Sequence, residues 1–123
     1  MNKREARKLD FQRLPKSHQL GELASALATF ASFATQILDR PDRTQHLFNE
    51  PLCYAEWLIP EVNTQLQAEI AAIHTSLQEW QRDWLQINTN EILRHTVIKQ
   101  VREWSEQMLD ASGLVEERLR EVA

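Results

Sequence analysis

The residues of this chain with the clearest potential for chemistry are four histidines, one cysteine and one glutamate on an apolar stripe. Two histidines have a glutamate four positions away, in the pairs His46–Glu50 and Glu91–His95, so each pair can share a helix face. Carboxylate-bridged di-iron bundles instead use Glu-x-x-His on paired helices with further inward carboxylates. Neither pair has that spacing, so we expect no metal site.

Glu69 is the carboxylate that falls on an apolar stripe, between Val62 and Ile73. A buried carboxylate needs a partner or a raised pKa, and Gln100 on the next stripe is the candidate for a register-fixing hydrogen bond. No second acid, base or nucleophile is placed beside Glu69 to support catalysis. Cys53 has no assignable helper histidine, and two glycines leave little room for a phosphate loop. We therefore expect no enzyme and no cofactor.

The elements that must position these residues are predicted to be helices throughout. The 123 residues fit a basic N-terminal arm, 1–16, followed by one helical-bundle domain, 17–123. A first helix is expected from Ser17 to about Asp39, a long one that Pro60 either opens or kinks and that continues to about Ile87, and a third over 90–111. Their apolar residues recur at helical spacing, and no alternating strand pattern competes. The prediction is an all-α fold, an antiparallel bundle of three main helices plus short accessory helices.

Some side chains lie off these stripes or on short elements. The third stripe runs from Leu93 through Val97 and Val101, whereas Ile98 and Leu109 fall outside it and are predicted to dock a short final helix. That final helix carries Val115, Leu119 and Val122. On the short helix that begins at Pro51, Tyr54 and Trp57 are expected to be semi-exposed.

The stretch from Leu23 to Leu38 holds sixteen residues without a charge in a chain that is 26% charged. It is too short and too polar to span a membrane, so we expect no membrane partner. One side of this helix supplies core leucines, while its back lacks the charges of an ordinary exposed surface. Either the chain itself covers this back or a protein partner does, and we favour the partner. The predicted interface residues are Ser25, Ala28, Ser32, Phe33, Thr35 and Gln36.

The charges are unevenly placed along the chain. Residues 1–16 carry a net charge of +4 and residues 17–123 a net charge of −8. Such an arm either docks on acidic protein surface, its own or a neighbour's, or contacts nucleic-acid phosphates. The candidate phosphate contacts are Arg4, Arg7, Lys8, Arg13 and Lys16, with Arg94 and Lys99 as helpers. The acidic body opposes non-specific binding to polyanions, which favours docking on protein.

Two classes of function follow. The first is a non-catalytic interaction subunit that assembles with itself or within a larger complex, including a nucleoprotein complex. Small all-helical subunits of CRISPR effector complexes have this size and class, which is an analogy of fold alone. The alternative is a small enzyme or ligand-binding bundle with an inter-helix site around Glu69. The single cysteine and the polar N-terminus lead us to expect a cytoplasmic location.

Overall fold

The computed structural model of the protein describes residues 2–114. Within them the chain forms six α-helices and one short 3₁₀ helix, Ile59–Glu61, with no strand. The all-α prediction is therefore confirmed for this part of the chain. The α-helices are α1 Lys3–Arg13, α2 Lys16–Gln36, α3 Pro41–His46, α4 Asn49–Leu58, α5 Thr64–Thr89 and α6 Glu91–Ser112.

Asparagine side chains set the starts of the two longest helices. Asn63 Oδ1 accepts the Leu66 backbone N–H at 3.0 Å at the start of α5, which satisfies one of the free donors of a first helical turn. The prediction that Pro60 either opens or kinks this helix is wrong, because Pro60 lies in the separate 3₁₀ helix before it. Asn90 is both the C-cap of α5 and the N-cap of α6, so one residue turns the chain between them.

Helix α6 ends where the sequence places a glycine. Gly113 has φ 72° in the left-handed region, which glycine adopts without steric cost. The predicted final helix with Val115, Leu119 and Val122 lies outside the described residues.

Helix α2 packs between α6 on one side and α4 on the other. The Ser105 hydroxyl in α6 donates to Ala24 O at 2.7 Å, and Arg102 donates to Thr35 Oγ1 at 3.2 Å. From the first bond to the second, the residue numbers rise along α2 and fall along α6. The two helices therefore run in opposite directions.

The centre of the molecule is an aromatic cluster contributed by separate segments. The Phe30 ring lies 4.1 Å from Phe48 and 5.3 Å from Trp84, measured between ring centroids. Edge-on and tilted aromatic pairs at these distances are favourable beyond their buried area. All three side chains are fully buried, and they join α2 and α5 through the segment before α4.

The core face of α6 differs from the predicted stripe. Ile98 is 4% exposed and belongs to the main core, whereas Leu93 is 49% exposed. Ile98 was not expected in this core, and the predicted docking of the final helix on it involves residues outside those that the structure describes. Because α6 packs closely along α2, its buried face is rotated away from Leu93 and towards Ile98.

Glu69 is exposed on α5, so this carboxylate does not need a buried partner. The Trp80 and Trp104 rings stack with centroids 5.3 Å apart and fix the level at which α5 and α6 lie side by side. Counting from this stack, Gln100 lies level with Trp84, about 15 residues or roughly 22 Å from Glu69 along α5. The predicted bond between Glu69 and Gln100 does not form.

The N-terminal arm is a helix that packs on α4. Phe11 is 4% exposed and stacks on Tyr54, with centroids 4.7 Å apart and planes 8° apart. Trp57 is 4% exposed, so its expected semi-exposure is wrong, while Tyr54 is half-buried. The buried amide of Gln19 donates to Leu14 O at 2.9 Å, which closes the junction between α1 and α2.

Candidate functional site

One side of α2 remains uncovered after α4 and α6 have packed against the helix. All six residues predicted as a partner interface are exposed there, and Thr29 joins them. We call this surface the open face of α2. It consists of Ser25, Ala28, Thr29, Ser32, Phe33, Thr35 and Gln36.

The open face has an apolar protrusion and otherwise small or neutral side chains. Phe33 is 42% exposed. Thr35 already uses its hydroxyl within the chain, donating to Ala31 O at 2.8 Å and accepting from Arg102. Ser25, Ala28 and Ser32 project little from the helix, so another backbone can approach closely there.

A groove runs along each edge of the open face. The groove towards α3 and α4 has a volume of about 300 Å³. Its lining combines Arg7, Ser25, Ala26, Thr29, His46, Leu47, Asn49 and Glu50. The groove towards α6 has a volume of about 420 Å³. It is lined by Thr35, His95, Ile98, Lys99, Arg102, Glu103 and Glu106.

The candidate ligands and nucleophiles do not converge into one centre. No group of three or more potential metal ligands occurs within residues 2–114. Cys53 and His74 line the same groove between α4 and α5, a proximity that the sequence did not reveal. In the described part of the chain, no hydrogen bond joins these two side chains. Glu69 lines none of the four grooves found between the helices.

The basic residues of the arm face carboxylates of the chain's own body. Arg4 pairs with Glu56 at 3.1 Å. The two further ion pairs from the arm are Arg7–Glu50 at 3.9 Å and Lys16–Glu61 at 3.4 Å.

Two of the candidate phosphate contacts make no ion pair with the body in residues 2–114. Arg13 pairs with Asp10 of its own helix at 3.6 Å, and Lys8 forms none shorter than 4.0 Å there. The arm pairs are largely solvated, so each adds little to stability. Together they place much of the arm's positive charge against the chain's own acidic surface.

Tyr54 connects this docked arm to α4. Its hydroxyl donates to Glu50 Oε1 at 3.1 Å. Burial under α1 is the main cause that raises the pKa of Tyr54 above 10.0, and the negative charge of Glu50 raises it further.

Comparisons with protein-family models, with curated proteins and with solved structures found no match. Within residues 2–114, every helix is too short or too polar to cross a bilayer.

Proposed function

We propose that this chain is a non-catalytic helical interaction subunit that binds protein through the open face of α2. It assembles with itself or within a larger complex, on an antiparallel bundle of three main helices, α2, α5 and α6. The observation that carries the proposal is that the open face is exposed and uncharged in a chain that is 26% charged.

The composition of the open face supports a protein partner. The centres of protein interfaces are depleted in charged side chains and enriched in aromatic ones. The open face has no charge from Ser25 to Gln36, and it exposes Phe33. Helices α4 and α6 cover the other sides of α2, and within residues 2–114 the open face stays exposed, which favours a partner.

The other functions have less support from the geometry. A nucleic-acid role would rest on the arm, but Arg4, Arg7 and Lys16 already face carboxylates of the body. An inter-helix enzyme site would rest on Glu69, which is exposed. Protein binding through α2 would use a surface that is already exposed, so it requires neither the breaking of the arm's ion pairs nor a new position for Glu69.

The test is a charge placed in the middle of the open face. Ala28→Glu should reduce assembly while leaving helicity unchanged, because Ala28 is exposed in the single chain. The matched control is Ala72→Glu, at an exposed position on α5. Light scattering on protein purified gently from its cells measures whether the mass exceeds 14.4 kDa, and circular dichroism measures helicity.

Two results would contradict the proposal. Loss of helicity in Ala28→Glu would mean that the open face is internal core. Equal assembly of wild type, Ala28→Glu and Ala72→Glu would mean that α2 is not the binding surface. Adding single-stranded or duplex nucleic acid at low and high salt tests the arm separately, because phosphate binding weakens as salt rises.

A further inference from the structure

The exposed side of α6 that borders the open face carries a series of charged or titratable residues. The spacings in this series are symmetric about its midpoint, and the sign of the charge changes there. Basic or titratable residues come first, then acids, and the spacings between successive members are 4, 3, 1, 3 and 4. All six side chains are exposed. The series is His95, Lys99, Arg102, Glu103, Glu106 and Asp110.

The midpoint of this series lies beside the middle of the open face. The bonds Ser105–Ala24 and Arg102–Thr35 tie α6 to α2. They lie on either side of the midpoint between Arg102 and Glu103, so this midpoint lies level with the stretch of α2 between Ala24 and Thr35, whose middle is near Thr29. The charge reversal on α6 therefore falls within the length of the uncharged surface on α2.

The opposite edge of the open face has a protrusion and a recess on either side of that same centre. At about 100° per residue, Thr29 and Phe33 fall on the edge away from Thr35. Phe33 protrudes about one turn after the centre. The groove of about 300 Å³ that includes Ser25 and Ala26 opens about one turn before it.

We propose that the partner on the open face is a second copy of this chain, related by a twofold axis near Thr29. The inference rests on the proposed function and names its partner. A twofold axis that lies in the interface and runs perpendicular to α2 reverses the direction along α2 but keeps each edge opposite the same edge of the other copy. The pairing is therefore isologous. Each feature on one side of the axis must meet a complementary feature that lies at the same distance on the other side of the axis, along the same edge.

Both edges meet this requirement. On the α6 edge, Lys99 comes opposite Glu106 of the second copy, and Arg102 comes opposite Glu103 of the second copy. On the other edge, Phe33 comes opposite the groove beside Thr29. The small residues near the axis let the two α2 backbones approach.

Within the described part of the chain, the charges on α6 are not paired with each other or with other charged side chains. Across residues 2–114, no ion pair shorter than 4.0 Å involves any of the six residues of the series. Arg102 instead donates to the neutral hydroxyl of Thr35, which holds its guanidinium at the border of the open face. Opposite charges at such a border steer and orient two surfaces.

A charge exchange tests the twofold arrangement. Lys99→Glu and Glu106→Lys each create two like-charge contacts in a symmetric dimer, so each should raise the dimer Kd by about tenfold or more at low salt. The double variant Lys99→Glu/Glu106→Lys restores both contacts and should return the Kd to within about threefold of wild type. The measurement is sedimentation equilibrium over a concentration series, with 14.4 kDa as the monomer mass.

Apolar truncations provide the matched controls. Phe33→Ala should weaken the dimer, whereas Ile92→Ala should not, although Ile92 is 78% exposed. Ile92 lies in the first turn of α6 and outside the open face. Circular dichroism of every variant checks that the fold is kept.

Three outcomes would overturn this inference. A wild-type chain that stays monomeric at every concentration would exclude self-pairing. The proposed function would then be tested separately, by measuring whether Ala28→Glu assembles less with other proteins than the wild type does. A dimer in which the double variant is as weak as the single variants would exclude this axis but keep self-assembly. A dimer weakened by Ile92→Ala and not by Phe33→Ala would place the interface elsewhere.

Discussion

Replacement of Phe11 by alanine should release α1 from the body while leaving the rest of the fold intact. Phe11 is the one buried residue among the eleven of α1. It stacks on Tyr54 and contacts the ring of Trp57 at a centroid distance of 5.6 Å. The remaining links from the arm to α4 and the 3₁₀ helix include three exposed ion pairs, Arg4–Glu56, Arg7–Glu50 and Lys16–Glu61.

The magnitudes show that Phe11 dominates this docking. Full burial of a phenylalanine is worth about 1.5–3 kcal/mol, and aromatic pairing adds roughly 0.5–1.5 kcal/mol. The ion pairs join side chains that are 47% to 65% exposed, so solvent screening leaves each near the low end of about 0–1 kcal/mol. A loss of roughly 3 kcal/mol corresponds to an increase of about 100-fold in the undocked population.

Two measurements follow the release of α1. Hydrogen exchange should show loss of protection over Lys3–Arg13, with protection of α5 and α6 retained. The chain has one tyrosine, so tyrosinate absorbance reports Tyr54 alone. Since burial is the largest cause of its raised pKa, exposure in Phe11→Ala should lower the pKa of Tyr54 towards 10.0.

The matched control is Leu9→Ala, which truncates an apolar side chain that is 40% exposed on the same helix. It should change stability by no more than about 0.5 kcal/mol. The reasoning is refuted if α1 keeps its protection in Phe11→Ala, or if moderate salt releases α1 from the wild type. Either result would mean that charge, and not the buried ring, holds the arm.

Two further predictions concern pH and helix capping. Because the pKa of Tyr54 is raised in the folded state, its contribution to stability is complete below pH 10.0 and is lost as the pH rises through the folded-state pKa. Urea unfolding should show this decrease in the free energy of unfolding, and Tyr54→Phe should remove the decrease. Asn90→Ala removes the acceptor of the Leu93 N–H bond, 3.1 Å long, at the turn between α5 and α6. It should lower the free energy of unfolding by about 1 kcal/mol, as should Asn63→Ala at the equivalent cap of α5; an unchanged urea midpoint would show that packing alone holds the turn.

The long helices could be predicted because their buried residues recur at regular helical spacing. Ile70, Ile73, Leu77 and Trp84 are buried on α5 as that spacing requires. Glu69 also fits the spacing but is exposed, because a stripe shows which side of a helix is apolar and not how far its neighbours reach. The same limit explains why Leu93 and Ile98 exchanged places between prediction and structure.

The arm could not be assigned to a helix from its apolar pattern. A single buried side chain, Phe11, produces no periodicity, and the caps around α1 lie in a strongly polar stretch. The burial of Trp57 was missed for the same reason, since Phe11 packs against it.

The exposed character of α2 was visible in the missing charges, but the sequence did not show where that surface lies relative to α6. The reversing charges from His95 to Asp110 are present in the sequence. Their position beside the open face is known only once the bond between Ser105 and Ala24 shows which part of α6 lies against which part of α2.

The pairing of α2 with α6 also affects the chain while it is being made. The bond between Ala24 and Ser105 spans 81 residues. At about 5–20 residues per second, roughly 4 to 16 seconds pass at the ribosome before the main neighbour of α2 exists. Throughout that interval the nascent chain presents the alanine-rich side of α2 to the cell without its native cover, so the demand for chaperone protection falls on this helix early in translation.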